Sequence, residues 1–413
     1  MLTRLRSLYR EYPSQFWLMV FGVFLSTAGA SMIGPFLMIY ASEKLGLPLS
    51  TVVTLITINA GTGLFSSFIA GTLADKVGRK VVMVVSLFTN GLIYLFMMRA
   101  ETYAAFAFLM FLTGLANPLY QVGADAMLAD LIPQEKRTNA YAINRMMSNA
   151  GFAIGPAVGG FIAALSYSYA FYAAAGGMTI YSLLMLFLAR ETLTLTTEKI
   201  AAGKTTLKTP DGGYTQVFRD KGYLAFVLTL SGGLIAPGMV WVLLAVYTKT
   251  NFGLPESHYG WIPTTNALMC VFVQYFVTHL TRRHRPLPIA ATGMFIYAIG
   301  VGSVALMSNF WGFWLAMVIL TLGELTVVPT ASTYVANISP PELRGRYMSI
   351  YWLSWGISRG AAPLIGGWLN DLISPRAIWV GGLLIGLTST LGLALLARQQ
   401  QKLVTSQLPN KLA

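Results

Sequence analysis

The chain has 413 residues, 55% of them hydrophobic and 10% charged, with a mean hydropathy of +0.62, whereas a soluble domain carries about 25% charge. A water-soluble globule is thereby excluded, and at roughly 34 residues per span and loop the length holds about a dozen membrane helices and no sizeable soluble domain. The single cysteine, Cys270, excludes a disulfide framework, while the net charge of +13 excludes nothing until the charges are placed.

In chain order, apolar spans are read at 15–40, 50–70, 81–98, 103–130, 140–165, 169–189, 223–248, 257–280, 287–307, 310–337, 347–373 and 377–397. The first follows Arg4, Arg6 and Arg10 and resembles a signal peptide at Ala28-Gly29-Ala30. Its apolar run continues to Tyr40, a spanning length, so it is read as a retained helix. With the N-terminus inside, twenty-two Lys and Arg fall in inner segments and four (Lys44, Arg99, Lys249 and Arg376) in outer loops, with Arg145 and Arg359 left inside spans. That asymmetry puts both termini in the cytoplasm and accounts for the basic charge without a nucleic-acid partner. The one long polar stretch, about 190–222, reads as a linker, giving an N-terminal half 1–195, a linker 196–222 and a C-terminal half 223–413.

The halves repeat. A shift of 207 residues superposes Pro133 on Pro340, Glu135 on Glu342, Arg137 on Arg344, Pro156 on Pro363, Gly159 on Gly366 and Gly160 on Gly367. One register at matching loops and spans points to a duplicated six-span unit, and two such halves suit rocking about a shared site. Spans 1, 4, 7 and 10 contain Pro35, Pro118, Pro237 and Pro329, while spans 3, 6, 9 and 12 have no interior proline. Proline removes a backbone hydrogen bond and favours a kink, so bendable spans recur with period three.

Between spans 2 and 3 lies Gly71-Thr72-Leu73-Ala74-Asp75-Lys76-Val77-Gly78-Arg79-Lys80. Gly71 is read as permitting close helix approach, Gly78 as permitting a tight turn, and Asp75 as an acceptor for a helix N-terminus. The shifted copy has Arg282 where Asp75 stands and neither glycine, so any latch here is one-sided. In span 5, Gly151, Gly155, Pro156, Gly159 and Gly160 set small residues four apart, a flat face for close packing beside a bend.

The 71–80 segment resembles the signature loop of the major facilitator superfamily, and the span-5 motif resembles that of its drug/proton antiporters, a multidrug efflux family. The resemblance covers nearly the whole chain and implies an all-α polytopic membrane protein with twelve transmembrane helices in two pseudo-symmetric six-helix halves. It implies that Asp75 meets the start of span 11, near Gly345 to Tyr347, and that Arg79 reaches Asp130. Such a cluster latches the halves when the cytoplasmic side is closed. The span-5 motif implies export.

Intramembrane charge marks the candidate coupling chemistry. Glu324 lies midway along span 10, where an unpaired buried carboxylate is costly and suited to proton exchange; the shift aligns it with Asn117. Arg359, midway along span 11, is the candidate counter-ion; Asp125 is a second acid, although it and Arg145, in the cytoplasmic thirds of spans 4 and 5, read as more structural. Related exporters often carry an acid early in span 5, where this chain has Asn144, which argues against a multi-proton mechanism. Candidate cavity residues on spans 1, 4, 7 and 10 are Phe36, Tyr40, Asn117, Tyr120, Gln121, Trp241, Tyr247 and Tyr334, an aromatic set suited to amphipathic or cationic compounds.

No ATP-binding loop is present, and His258, His279 and His284 lack metal-ligand spacing, so no metal or other cofactor is expected and energy comes from a proton gradient. The reading is a non-enzymatic, proton-coupled efflux protein for hydrophobic or cationic organic compounds, monomeric among the lipids of a bacterial plasma membrane. A lipid or glycolipid flippase, a metabolite carrier and a non-transporting sensor are the alternatives.

Overall fold

The computed structural model describes residues 11–193, 214–281, 283–340 and 343–407. Arg4, Arg6, Arg10, Arg282, Glu342 and linker residues 196–213 therefore lie outside the described residues. Among the described residues every regular element is a helix. They are α1 (Ser14–Ile33), a short tight turn (Gly34–Phe36), α2 (Leu37–Leu45), α3 (Leu49–Val77), α4 (Arg79–Arg99), α5 (Tyr103–Leu131), α6 (Gln134–Leu165) and α7 (Tyr167–Leu188). There follow α8 (Tyr214–Arg219), α9 (Lys221–Phe252), α10 (Glu256–Tyr259), α11 (Trp261–Phe272), α12 (Gln274–Thr281), α13 (Pro286–Ser303), α14 (Phe310–Ile338), α15 (Arg344–Leu372) and α16 (Ala377–Gln407).

Ten helices among the described residues are long and apolar enough to cross a membrane. The other two expected spans are present as helix but differ in kind. Span 8 is broken into α11 and α12, and span 11 is α15, whose apolar run is diluted by Arg346, Arg359, Asn370 and Asp371. Large apolar side chains such as Phe68, Leu165, Phe187, Leu228 and Trp311 stand exposed on the helix surfaces, as lipid-facing side chains do.

Helix ends follow local chemistry, and that chemistry repeats. Thr102 Oγ1 accepts from Ala105 N at 3.3 Å to cap α5, and Asn309 Oδ1 accepts from Gly312 N at 3.0 Å to cap α14. Gly46 and Gly253 close α2 and α9 at φ of 60° and 62°. Both pairs are related by the same 207-residue shift that aligns the sequence motifs. The duplication therefore extends to the punctuation of the fold.

Prolines behave in two ways. Pro35 sits in the tight turn that divides span 1, whereas Pro118, Pro237 and Pro329 lie inside helices that continue through them. Pro329 has no N–H to give Leu325, the carbonyl four residues earlier, and Gln274 Nε2 of α12 donates to that oxygen at 3.1 Å. A side chain thus replaces the missing backbone donor.

The chain forms two compact units, one of residues 1–47, 54–208 and 255–267, the other of 48–53, 209–254 and 268–413. In the first, α1 lies against α6 and α7, and α4 against α5 and α7. Its core gathers Phe16, Met19, Met83, Leu87, Met127, Leu128, Tyr181 and Met185. In the second, α9 lies against α15 and α16, and α13 against α14 and α16, which is the same set of neighbours under the repeat.

Candidate functional site

Gly78, the single residue between α3 and α4, has φ 112° and ψ 148°, a region that L side chains rarely enter. An added Cβ would also press within 2.9 Å of the Glu191 carboxyl carbon. The next residue, Arg79, is buried, and its guanidinium meets Asp75 Oδ1 at 2.9 Å and donates to the Ala74 carbonyl at 3.1 Å. Its Nε lies 3.2 Å from Asp130 Oδ2, an ion pair without hydrogen-bond alignment. Thr192 Oγ1 donates to the same Asp130 oxygen at 3.0 Å. The contact from Arg79 to Asp130 is the one implied by the resemblance. Asp75 pairs along its own turn, with its side chain 67% exposed.

Glu191 completes this end of the first unit. Its carboxylate accepts from the backbone N–H groups of Arg79 and Lys80, both at 3.0 Å, so a negative charge sits on the N-terminus of α4 where the helix dipole favours it. It also takes the N–H groups of Thr192 and Leu193 at 2.8 and 3.1 Å. Sequence reasoning missed Glu191 and Thr192. The available signal was an acid directly after Arg190 at the end of span 6. Gly71 corrects the sequence reading, because among the described residues a Cβ there meets nothing within 4 Å and no close helix approach is made at that glycine.

The span-5 motif is buried throughout. A Cβ on Gly151 would lie 2.7 Å from the Phe24 carbonyl, one on Gly155 would lie 2.8 Å from the Ala28 carbonyl, and one on Gly159 would run into the Met32 backbone. Those partners climb α1 one turn at a time, so three glycines four apart carry one helix flush against another. Gly160 faces a different partner, with the Glu256 carbonyl carbon 3.1 Å from a Cβ. Its repeat mate Gly367 likewise would place a Cβ 2.8 Å from Ser50 Cα, inside the second unit.

Glu324 is half-buried midway along α14. The fully buried Tyr297 of α13 hydrogen-bonds it, with Cys270 close by. Arg359 makes no ion pair or hydrogen bond among the described residues; it is exposed at the middle of α15 and is not the counter-ion of Glu324 in this structure. Asp125 accepts from Gln121 Nε2 at 3.2 Å, and its backbone carbonyl accepts from Tyr141. Arg145 is exposed.

The proposed cavity residues divide. Phe36, Tyr247 and Tyr334 are core residues: Phe36 is fully buried beside Tyr259, Tyr247 packs on Trp379 with ring centroids 5.0 Å apart, and Tyr334 packs on Phe226 at 4.6 Å and accepts from Gln400. Tyr40 is held by its hydroxyl bond to the Met98 carbonyl at 2.7 Å. Asn117 and Gln121 are exposed, and Tyr120 and Trp241 are half-buried. Aromatic type alone does not separate a lining residue from a core residue.

Membrane-length helices in two repeated sets, with an acid inside one of them and a charge cluster at one end, define a polytopic membrane protein. The chain belongs to the Major Facilitator Superfamily, whose family model matches residues 19–240 and again 230–411. It is 26% identical to a Na(+), Li(+), K(+)/H(+) antiporter of Planococcus maritimus over 83% of this chain and 86% of that protein. It is 25% identical to the multidrug resistance protein MdtH of Escherichia coli over 81% of each. Among solved structures, the nucleoside transporter NupG shares the fold with a TM-score of 0.78 at 12% identity, covering 92% of this chain and 99% of that one. The protein is a membrane transporter, not an enzyme.

Proposed function

We propose that this transporter exports hydrophobic, amphipathic or cationic organic compounds across a plasma membrane in exchange for protons, by alternating access, with both termini in the cytoplasm. The observation that carries the reading is the Glu324 carboxyl, set midway along a membrane-length helix and held by the Tyr297 hydroxyl. A carboxyl at that depth, half-open and hydrogen-bonded, can take up and release a proton with little change in position. The flush contact of α1 with the glycine face of α6 supports export through the resemblance to exporters, and likeness to a multidrug resistance protein supports the cargo class. Asp125 stands as the second acid.

The test is dye transport in proteoliposomes under an imposed pH gradient. Glu324→Gln should leave a folded protein whose transport no longer follows the gradient. Transport by that variant that still scales with the gradient would remove Glu324 from the coupling role and move attention to Asp125. The Planococcus relative favours a second reading, in which an alkali cation is exchanged for the proton at the same carboxyl. A sodium gradient that drives proton flux without any organic cargo would establish it.

A further inference from the structure

Arg359 sits in the middle of α15, a 29-residue helix, and its side chain is exposed. A guanidinium remains protonated in any protein environment, and at mid-membrane depth it is too costly to leave against lipid, so the space it faces is polar. Its expected partner is engaged elsewhere, since Glu324 is held by Tyr297. The nearby hydroxyls are also committed: Ser358 Oγ donates to the Ser231 and Ser354 carbonyls, both at 2.7 Å, and Ser354 Oγ turns to the Ile350 carbonyl.

One turn earlier on the same face, Trp355 presents a second donor. Its indole Nε1 is buried and has no hydrogen-bond partner among the described residues. Residues four apart on a helix are neighbours, with Cβ atoms about 5–6 Å apart. Both side chains are donors that cannot accept. An unmet indole N–H one helical turn from an unpaired fixed cation is an incomplete arrangement, and what completes it is an acceptor carrying negative charge.

We propose that Arg359 and Trp355 form an anion-binding subsite of the transport pathway, and that the cargo carries a carboxylate or a comparable anionic group on an apolar body. This rests on the reading of the protein as an exporter of amphipathic compounds and narrows the cargo within it. The guanidinium fork binds the two oxygens of a carboxylate side by side, and the indole N–H takes a remaining lone pair. A cationic cargo without an anionic group is disfavoured at this position by like charge.

The test is ligand binding to the purified full-length protein in detergent, with no gradient present. The probes are phenylacetate, naphthylacetate and pyrenebutyrate, each beside its primary amide and its trimethylammonium analogue, read by the shift in thermal unfolding midpoint and by pyrene fluorescence. Carboxylates should raise the midpoint, and amides and ammonium analogues should not. Arg359→Gln should weaken carboxylate binding roughly tenfold to a hundredfold, the loss of a charge-assisted bidentate contact. Arg359→Lys should retain part of the affinity, and Trp355→Phe, which keeps an aromatic ring but removes the donor, should weaken it several-fold. These two variants carry the test if Arg359→Gln is unstable without ligand. Equal stabilisation by amides or ammonium analogues, no stabilisation by any carboxylate, or carboxylate binding that survives Arg359→Gln would each overturn the proposal. Because binding is measured without a gradient, a failure of proton coupling in proteoliposomes leaves this result intact.

Discussion

Arg79 is flanked by two carboxylates of unequal worth. Asp130 is nearly as buried as the arginine, with side-chain exposures of 11% and 7%, whereas Asp75 is 67% exposed. Water screens the second pair and hardly reaches the first. Asp130→Asn should therefore cost about 3 kcal/mol by stranding a buried cation, against less than about 1 kcal/mol for Asp75→Asn, as read from thermal unfolding of the purified protein. Glu191→Ala should cost about 1 kcal/mol by uncapping α4, and Glu191→Gln should recover part of it because the amide oxygen still accepts. Arg79 and Asp130 were legible because the 71–80 pattern carries a known pairing. Glu191 was not, since it acts on backbone N–H groups 112 residues away, and a cap of that kind leaves no spacing to read. Tyr297 escaped notice for a similar reason, a lone tyrosine in an apolar run looking like any other core aromatic.

Helices meet through glycine in one place and through a donated hydrogen bond in another. The α6 stripe was legible because four-residue spacing puts small residues on one face, although which helix would cover that face was not. Gly159→Leu should prevent α1 from seating and abolish a monodisperse folded protein, while Gly71→Ala should shift the unfolding midpoint by less than the equivalent of about 0.5 kcal/mol, its methyl having open space. The break between α11 and α12 falls at Val273, with no proline or glycine to announce it, next to the residue that serves the Leu325 carbonyl. Gln274→Leu should cost about 1–2 kcal/mol by leaving that carbonyl without a donor. In a Pro329→Ala background the restored N–H supplies the donor, so the same change should become nearly neutral, and the double-mutant cycle measures the coupling.

Across the whole chain, the repeat was legible at the level of motifs and proved to reach the caps, from Thr102 to Asn309 and from Gly46 to Gly253. Composition and hydropathy were enough to place ten of the spans, because apolar runs of spanning length have few alternatives in a bilayer, but they did not announce the break inside span 8. Cargo was not legible, since side chains chosen for aromatic character proved to be core as often as not. The proposed orientation predicts that an epitope inserted at Gly212 or fused to the C-terminus is hidden in intact cells, and that one inserted after Gly253, past the end of α9, is accessible. Accessibility at Gly212 in unbroken cells would reverse the orientation.

Cys270 is the only cysteine in the sequence, and it lies close to the Tyr297 hydroxyl that holds Glu324. The wild-type protein therefore carries a single natural chemical handle within reach of its proposed proton site. Thiol-reactive fluorophores can be installed there without cysteine-stripping mutagenesis, and the rate at which they react becomes a clock for how often that part of α11 opens to water.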